Sequence, residues 1–102
     1  KGLATSGNYR KFRTDSSGRK IVHTVDPRTG QPVTSDLLSA TVVAETSAEA
    51  DAYGTALMVM GLERGKEFLA AHPEIQAYLI YSDEQGRFQT YVTPELGRTI
   101  AR

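Results

Sequence analysis

The chain has 102 residues, 39% hydrophobic and 24% charged, which is typical of one globular domain. Lys+Arg and Asp+Glu balance at 12 each, so no net field favours nucleic acid or an anionic membrane, and nucleic acid is not expected as a partner. Cysteine is absent, which excludes disulfides, thiolate metal sites and thiol catalysis. Basic residues cluster at 10–13 and 19–20, where a solvated strand and a turn are expected.

No apolar run reaches the length of a membrane span, and no signal peptide is visible. The sequence starts at Lys1-Gly2-Leu3 without an initiator Met, as expected for a segment from inside a longer chain. We therefore expect a fragment, in which missing targeting signals carry little meaning.

The first part of the chain is predicted to consist of extended segments and turns. Residues 3–13 are expected to form an extended entry with a bend at 6–8, and residues 15–18 to form a turn. Lys20–Val25 is rich in β-branched residues and predicts a strand.

Asp26–Gly30 predicts a turn with a clear mechanism. Pro27 fixes φ at the second position, and the Asp26 carboxylate can accept hydrogen bonds from later backbone amides. Arg28 lies at the tip of this turn, where a solvated side chain is expected rather than a phosphate contact.

The middle of the chain predicts a strand followed by a helix. Leu38–Ala44 is apolar enough for a central strand. Thr46-x-x-Glu49 forms a capping box, which predicts a helix from about residue 48 to residue 60. Gly61 suits the end of that helix.

The last part predicts a second helix over residues 63–71, stopped by His72-Pro73, and then two strands. These strands, 75–81 and 87–92, flank a hairpin signal at 82–86. The pattern assigns no element to the tail from Pro94. The order strand, strand, helix, helix, strand, strand predicts an α+β domain with two helices on one face of a mainly antiparallel sheet.

Asp51 and Thr55 are the candidate metal ligands. They are four residues apart, so on a helix they face the same way. A carboxylate and a hydroxyl suit Mg²⁺ when substrate phosphates complete its shell, and the positive end of the helix dipole is expected to favour phosphate there. Alone the pair is a weak signal, since an Asp in this position also simply complements the dipole.

Small side chains surround these two residues, since positions 48, 50, 52, 54 and 56 are alanine or glycine. Gly54 costs about 1 kcal/mol relative to alanine inside a helix. Something therefore packs close to the helix backbone, and the sequence leaves open whether it is a strand or a ligand.

His23 is the candidate general base. Strand alternation places it on one face with Ile21 and Val25, where a lone histidine is more often a hydrogen-bonded core or rim residue. Strand ends that lead into turns often carry site residues, however, and an imidazole exchanges protons near neutral pH. His72, at a helix end, is expected to be a cap without a catalytic role.

Ser6, Asn8 and Tyr9 form a small polar cluster that fits a β-turn and a ligand contact equally well. Ser6 and Asn8 are kept as candidate ligand-binding residues.

Three segments together resemble the C-terminal part of the ApbE-type flavin transferases: Leu3–Tyr9, His23–Pro32 and Glu49–Leu57. The similarity extends from about Gly2 to Tyr81 in the order and spacing of the family. These proteins are the FAD:protein FMN transferases, once called thiamine biosynthesis lipoproteins. Their tunnelling-fold-like (T-fold) core of two strands, two helices and two strands agrees with the predicted order.

The resemblance implies an enzyme that binds FAD and Mg²⁺ and transfers FMN to a Thr or Ser hydroxyl of an acceptor flavoprotein, releasing AMP. Carried over by motif, Asp51 and Thr55 would be magnesium ligands, His23 the base for the acceptor hydroxyl, and Val25 a contact to FAD. It also implies a lipoprotein anchored to the membrane in the periplasm or cell envelope.

Two departures from the family matter. Gly54 stands where some members carry a further acidic residue. The N-terminal part of the family domain, which supplies most of the FAD pocket and another metal ligand, is missing. Residues 1–102 are therefore expected to be the C-terminal part of one domain, inactive alone. Two alternatives stay open: a Mg²⁺-dependent FAD pyrophosphatase that yields FMN and AMP, and a non-catalytic flavin-binding module.

Overall fold

Two antiparallel sheets and two helices make up the computed structural model, which describes residues 1–7 and 10–94. In chain order the elements are β1 Gly2–Ser6, β2 Arg13–Thr14, β3 Lys20–Val25, β4 Pro32–Ser35, β5 Leu37–Ala44, α1 Ser47–Met60, α2 Leu62–Ala71, β6 Gln76–Ser82 and β7 Phe88–Val92. The main sheet has the strand order β1-β5-β6-β7, and the small sheet has the order β2-β3-β4. Helix α1 packs on β1 and β5, and α2 contacts α1 and β6.

The predicted fold class is confirmed, because β1, β5, α1, α2, β6 and β7 give two strands, two helices and two strands. The first strand of that series is β1, however, and not Lys20–Val25, which is β3 of the small sheet. A β-branched run indicates a strand but not its partner, and β3 pairs with β4, a short strand that the sequence did not predict. Within the described ranges, no helix is long and apolar enough to cross a membrane.

The core lies between the main sheet and the helices. Leu38, Ala40 and Val42 of β5 are fully buried, as are Leu57 of α1 and Leu79 of β6. Full burial of one leucine side chain stabilises the fold by about 1.5–3 kcal/mol. These contacts fix α1 against β5 and thereby fix the position of every side chain on the exposed face of α1.

The predicted start of α1 is confirmed by the hydrogen bond from the Glu49 amide to Thr46 Oγ1, 3.1 Å long. The helix ends at Gly61, whose φ is +81°. Helix α2 begins directly afterwards, and its Leu62 amide donates to Asp36 Oδ1 over 3.3 Å. Asp36, which the sequence analysis did not single out, therefore caps α2 from another part of the chain.

Three turns begin with an aspartate and were predicted from the sequence. Each is closed by a backbone hydrogen bond from a glycine to that aspartate: Gly18 to Asp15, Gly30 to Asp26 and Gly86 to Asp83. His72 ends α2 as predicted, since its amide donates to the carbonyl oxygen of Leu69 over 3.2 Å.

Candidate functional site

Helix α1 places Asp51 and Thr55 beside one cavity of about 430 Å³, which we call the His23 cavity. Asp51 is exposed and Thr55 is half-buried. Their four-residue spacing puts both side chains on the same face of the helix, as predicted.

The prediction that the dipole of α1 favours phosphate near Asp51 and Thr55 is wrong. Helix α1 begins at Ser47, so Asp51 is its fifth residue and Thr55 its ninth, and Glu49 is the acidic residue of the first turn. The field of a helix end falls off within that turn. A ligand at Asp51 and Thr55 would therefore contact side-chain oxygens and not the helix terminus.

The close approach to α1 comes from strand β1. A Cβ atom added at Gly54 would lie 2.6 Å from Ser6 Oγ and 3.7 Å from the carbonyl oxygen of Ala40. Gly54 is buried, so of the two alternatives it is the strand that requires the thin helix. The same contact places Ser6 at the edge of the His23 cavity, which it lines together with Thr55.

Strand β3 places His23 in the lining of the same cavity. The imidazole is exposed, and its Nδ1 atom lies 3.5 Å from Oγ1 of Thr34 on the neighbouring strand β4. His23, Ser6, Asp51 and Thr55 are distant in sequence, yet all four line one cavity.

Two other predicted residues are not part of this arrangement. Val25 is 57% exposed and does not line the His23 cavity. Asn8 lies outside the described residues. Contact of either residue with FAD stays a prediction.

Lys11 was missed by the sequence analysis, which treated residues 10–13 as a solvated strand. It is exposed, but it lines the His23 cavity and adds a positive charge to a lining that also contains Asp51. The available signal was its position just after the predicted bend at 6–8, which already carried two candidate residues.

The donor set of the cavity fits a magnesium ion that is only partly held by this chain. No group of three or more His, Asp or Glu side chains within residues 1–7 and 10–94 could hold a metal. Asp51 and Thr55 would supply two hard oxygen ligands. Mg²⁺ commonly uses one or two carboxylates and fills the rest of its shell with water and phosphate oxygens.

A second cavity of about 610 Å³, the Arg28 groove, adjoins the first at Thr55, which lines both. Ala52 and Ala56 of α1 line it, as do Arg64 and Phe68 of α2. The turn that carries Arg28 also contributes to its lining.

Asp26 is paired with Arg28 in the turn that lines this groove. Its carboxylate is buried and accepts hydrogen bonds from the Arg28 amide (2.9 Å), Nε (3.2 Å) and Nη2 (3.0 Å). The Arg28 guanidinium, followed by the Arg28 amide, lowers the pKa of Asp26 below its usual range. Asp26 in turn raises the pKa of Arg28. The Arg28 side chain is solvated as predicted, with 81% exposure, and is paired with Asp26.

Known proteins match the chain over most of its length. A sequence model of the ApbE family matches residues 1–79. The FAD:protein FMN transferases of Klebsiella pneumoniae (strain 342) and Escherichia coli (strain K12) are each 39% identical over 94 residues, which is 92% of this chain. The crystal structure of Pseudomonas stutzeri flavinyl transferase ApbE in its apo form covers 94% of the chain with a TM-score of 0.75 and 35% identity.

The chain spans only 26% of the length of these two curated relatives and 30% of the Pseudomonas stutzeri structure. The structure of the flavin transferase ApbE from Vibrio cholerae is also similar, with a TM-score of 0.71 and 33% identity, and the chain covers 29% of its length. The family match over residues 1–79 and these likenesses place the chain in the ApbE family.

Proposed function

We propose that the full-length protein transfers FMN from FAD to a Thr or Ser hydroxyl of an acceptor flavoprotein, with Mg²⁺, and releases AMP. One observation carries this proposal. The candidate base His23 on β3 and the candidate metal ligands Asp51 and Thr55 on α1 line one cavity of about 430 Å³. The names of the relatives, FAD:protein FMN transferase, supply the reaction.

In this mechanism His23 takes the proton of the acceptor hydroxyl. Nδ1 lies 3.5 Å from Thr34 Oγ1, and in the tautomer with a proton on Nδ1 the Nε2 atom would accept the proton of the hydroxyl. The hydroxyl oxygen forms a bond to the phosphorus of the FMN half, and the bond from that phosphorus to the bridging oxygen breaks. AMP leaves with the electron pair of that bond.

Asp51 and Thr55 would hold the magnesium ion, with water and the two phosphates of FAD as further ligands. When bound, the ion neutralises charge that grows on the phosphate oxygens during the transfer. The exposed Asp51 carboxylate and the half-buried Thr55 hydroxyl are both open to such a ligand.

Residues 1–102 act in this proposal as the C-terminal part of one larger domain. The chain covers about a quarter of its curated relatives, so the remainder of the protein would complete the FAD pocket. Leu3 and Val25, which are 64% and 57% exposed, are apolar surfaces that FAD or the remaining part would cover. In this proposal, residues 1–102 alone would not catalyse the transfer of FMN.

A second candidate reaction is hydrolysis of FAD to FMN and AMP. His23 is exposed, so water can reach the base as well as an acceptor hydroxyl. The oxygen of a water molecule would then attack the same phosphorus, and His23 would accept the proton of that water.

The test uses the full-length protein with Asp51→Asn and the matched control Glu63→Gln, an exposed acidic residue in the first turn of α2. AMP release from FAD is measured by chromatography, and covalent flavin by in-gel fluorescence of host proteins. We expect both signals for the wild type and the control, and neither for Asp51→Asn.

The other outcomes separate the alternatives. AMP release without labelled protein would leave the pyrophosphatase, and FAD binding without AMP release would indicate a binding module. Equal losses of FAD binding and of transfer in His23→Ala would contradict its role as the base.

A further inference from the structure

The candidate base His23 has a neighbouring hydroxyl at its Nδ1 atom. Thr34 Oγ1 lies 3.5 Å from Nδ1, and both side chains are exposed. Thr34 is not among the described residues that line the His23 cavity. Any effect of Thr34 on the reaction would therefore pass through the imidazole of His23.

Strand pairing brings these two side chains together. His23 of β3 and Thr34 of β4 are register partners in an antiparallel pair. Residues directly opposite each other in such a pair have Cβ atoms about 4.5–5.5 Å apart on the same face. Thr34 is also branched at Cβ, which restricts its χ1 angle. The contact thus follows from the backbone and a stiff side chain, and not from a long side chain that reaches across.

The Asp26–Gly30 turn sets the register of this pair. The Asp26 amide donates to the Gln31 carbonyl oxygen over 2.9 Å, and the Gly30 amide donates to the Asp26 carbonyl oxygen over 2.8 Å. Turn type and loop length fix the register of a hairpin, and a slip of one residue moves a side chain to the other face. The same turn that follows His23 therefore determines that a threonine stands beside it.

The charge on His23 decides the direction of this hydrogen bond. A threonine hydroxyl can donate or accept, and a neutral imidazole has one donor and one acceptor nitrogen. Once His23 takes a proton, both ring nitrogens are donors, so Thr34 Oγ1 can only accept from Nδ1–H. Hydrogen bonds to a charged group are roughly twice as strong as neutral ones. The contact thus becomes stronger as the proton moves, and such an interaction raises kcat.

We propose that Thr34 is a positioning residue for His23. Its hydroxyl accepts a hydrogen bond from Nδ1, leaves Nε2 free for the acceptor hydroxyl and stabilises the imidazolium that forms during transfer. This inference rests on the proposed transfer from FAD. The distance of 3.5 Å should shorten in the reacting complex, since catalytic hydrogen bonds are often long before the substrate binds.

The experiment compares the full-length wild type with Thr34→Val and Thr34→Ser. Valine keeps the β-branched shape that suits a strand and removes the hydroxyl, whereas serine keeps the hydroxyl. Thr90→Val is the matched control, because Thr90 is an exposed threonine on another strand, β7. AMP release gives kcat and the KM for FAD. Nitrogen-15 NMR of the imidazole shows which ring nitrogen carries the proton.

We expect Thr34→Val to lower kcat by about three- to tenfold and to change the KM for FAD by less than about twofold. The loss is moderate because both side chains are exposed, so water can replace part of the contact. The fraction of His23 with a proton on Nδ1 should also fall. Thr34→Ser should restore kcat, and Thr90→Val should behave as the wild type.

Three results would overturn the inference. The first is an unchanged kcat in Thr34→Val, and the second is a rise in the KM for FAD without a fall in kcat. The third is an equal loss of kcat in Thr34→Val and Thr34→Ser, which would mean that Thr34 only supports the strand.

The outcomes also separate this inference from the proposed function. An unchanged kcat in Thr34→Val, with transfer still lost in Asp51→Asn, refutes the role of Thr34 alone. No AMP release by the wild type refutes the proposed transfer, and the role of Thr34 in it is refuted as well.

Discussion

Two turns of this protein share the same local chemistry but have different surroundings. Asp26 and Asp83 each accept backbone amide hydrogen bonds from the residues that follow. Each is also paired with an exposed arginine, Asp26 with Arg28 at 3.0 Å and Asp83 with Arg87 at 3.5 Å. Each turn contains a glycine of positive φ, Gly30 or Gly86.

The difference lies in what each turn touches. A Cβ atom at Gly30 would meet nothing within 4 Å, whereas one at Gly86 would collide with the Gly18 carbonyl oxygen. Lys20 Nζ also donates to the Gly86 carbonyl oxygen. The Asp83 turn is therefore part of the packing, while the Asp26 turn leaves its arginine beside the Arg28 groove. The sequence predicts both turns, but only tertiary contacts show which one packs against the rest of the protein.

The largest expected effect is on stability. In the full-length protein, Gly86→Ala should lower the free energy of unfolding by about 2–4 kcal/mol, because left-handed strain adds to a collision with backbone. Gly30→Ala should cost only the strain, about 1–2 kcal/mol. Urea unfolding measures both variants, and equal losses would show that the two turns do not differ in packing.

A smaller effect is expected on catalysis. Asp26→Asn weakens the turn that sets the register of His23 against Thr34, so kcat/KM for FAD should fall by about three- to tenfold. Asp83→Asn should leave it unchanged, because Asp83 lines neither the His23 cavity nor the Arg28 groove. A similar loss in both variants would argue that each aspartate only supports the fold.

The smallest effect is a change in acid sensitivity. The pKa values of Asp26 and Asp83 are both lowered in the folded state, by the Arg28 guanidinium and by the Arg87 amide respectively. A lowered folded pKa gives stability that is present above the unfolded value of about 3.9 and is lost as the pH falls through the folded value. Asp26→Asn and Asp83→Asn should each flatten the loss of stability below about pH 4. If urea unfolding shows the same loss of stability below about pH 4 in the wild type and in both variants, these carboxylates are not the origin of the acid sensitivity.

Local signals predicted the elements that depend on neighbouring residues. The Thr46 cap and the end of α1 at Gly61 follow from side-chain and backbone chemistry within a few positions. The pairing of β1 with β5 was not predicted, because it joins residues far apart in sequence. Asp36 was missed for the same reason, since it caps α2 from another segment.

The candidate site was predictable only in part. The Asp51 and Thr55 spacing is weak on its own, and it was the resemblance to a family that singled these residues out. The strand contact that explains Gly54 needed the structure, because Ser6 lies on another element. Lys11 lines the His23 cavity, and its position there depends on tertiary structure that composition does not predict.

In the proposed reaction, Asp51 and Thr55 hold the magnesium ion used in flavin transfer. The most direct measurement is the Mg²⁺ dependence of AMP release by the full-length wild type, by Thr55→Val and by Asp51→Asn. The wild type should saturate with Mg²⁺, Thr55→Val should need at least about tenfold more, and Asp51→Asn should show no metal-dependent release. Identical Mg²⁺ curves for the three proteins would contradict the account.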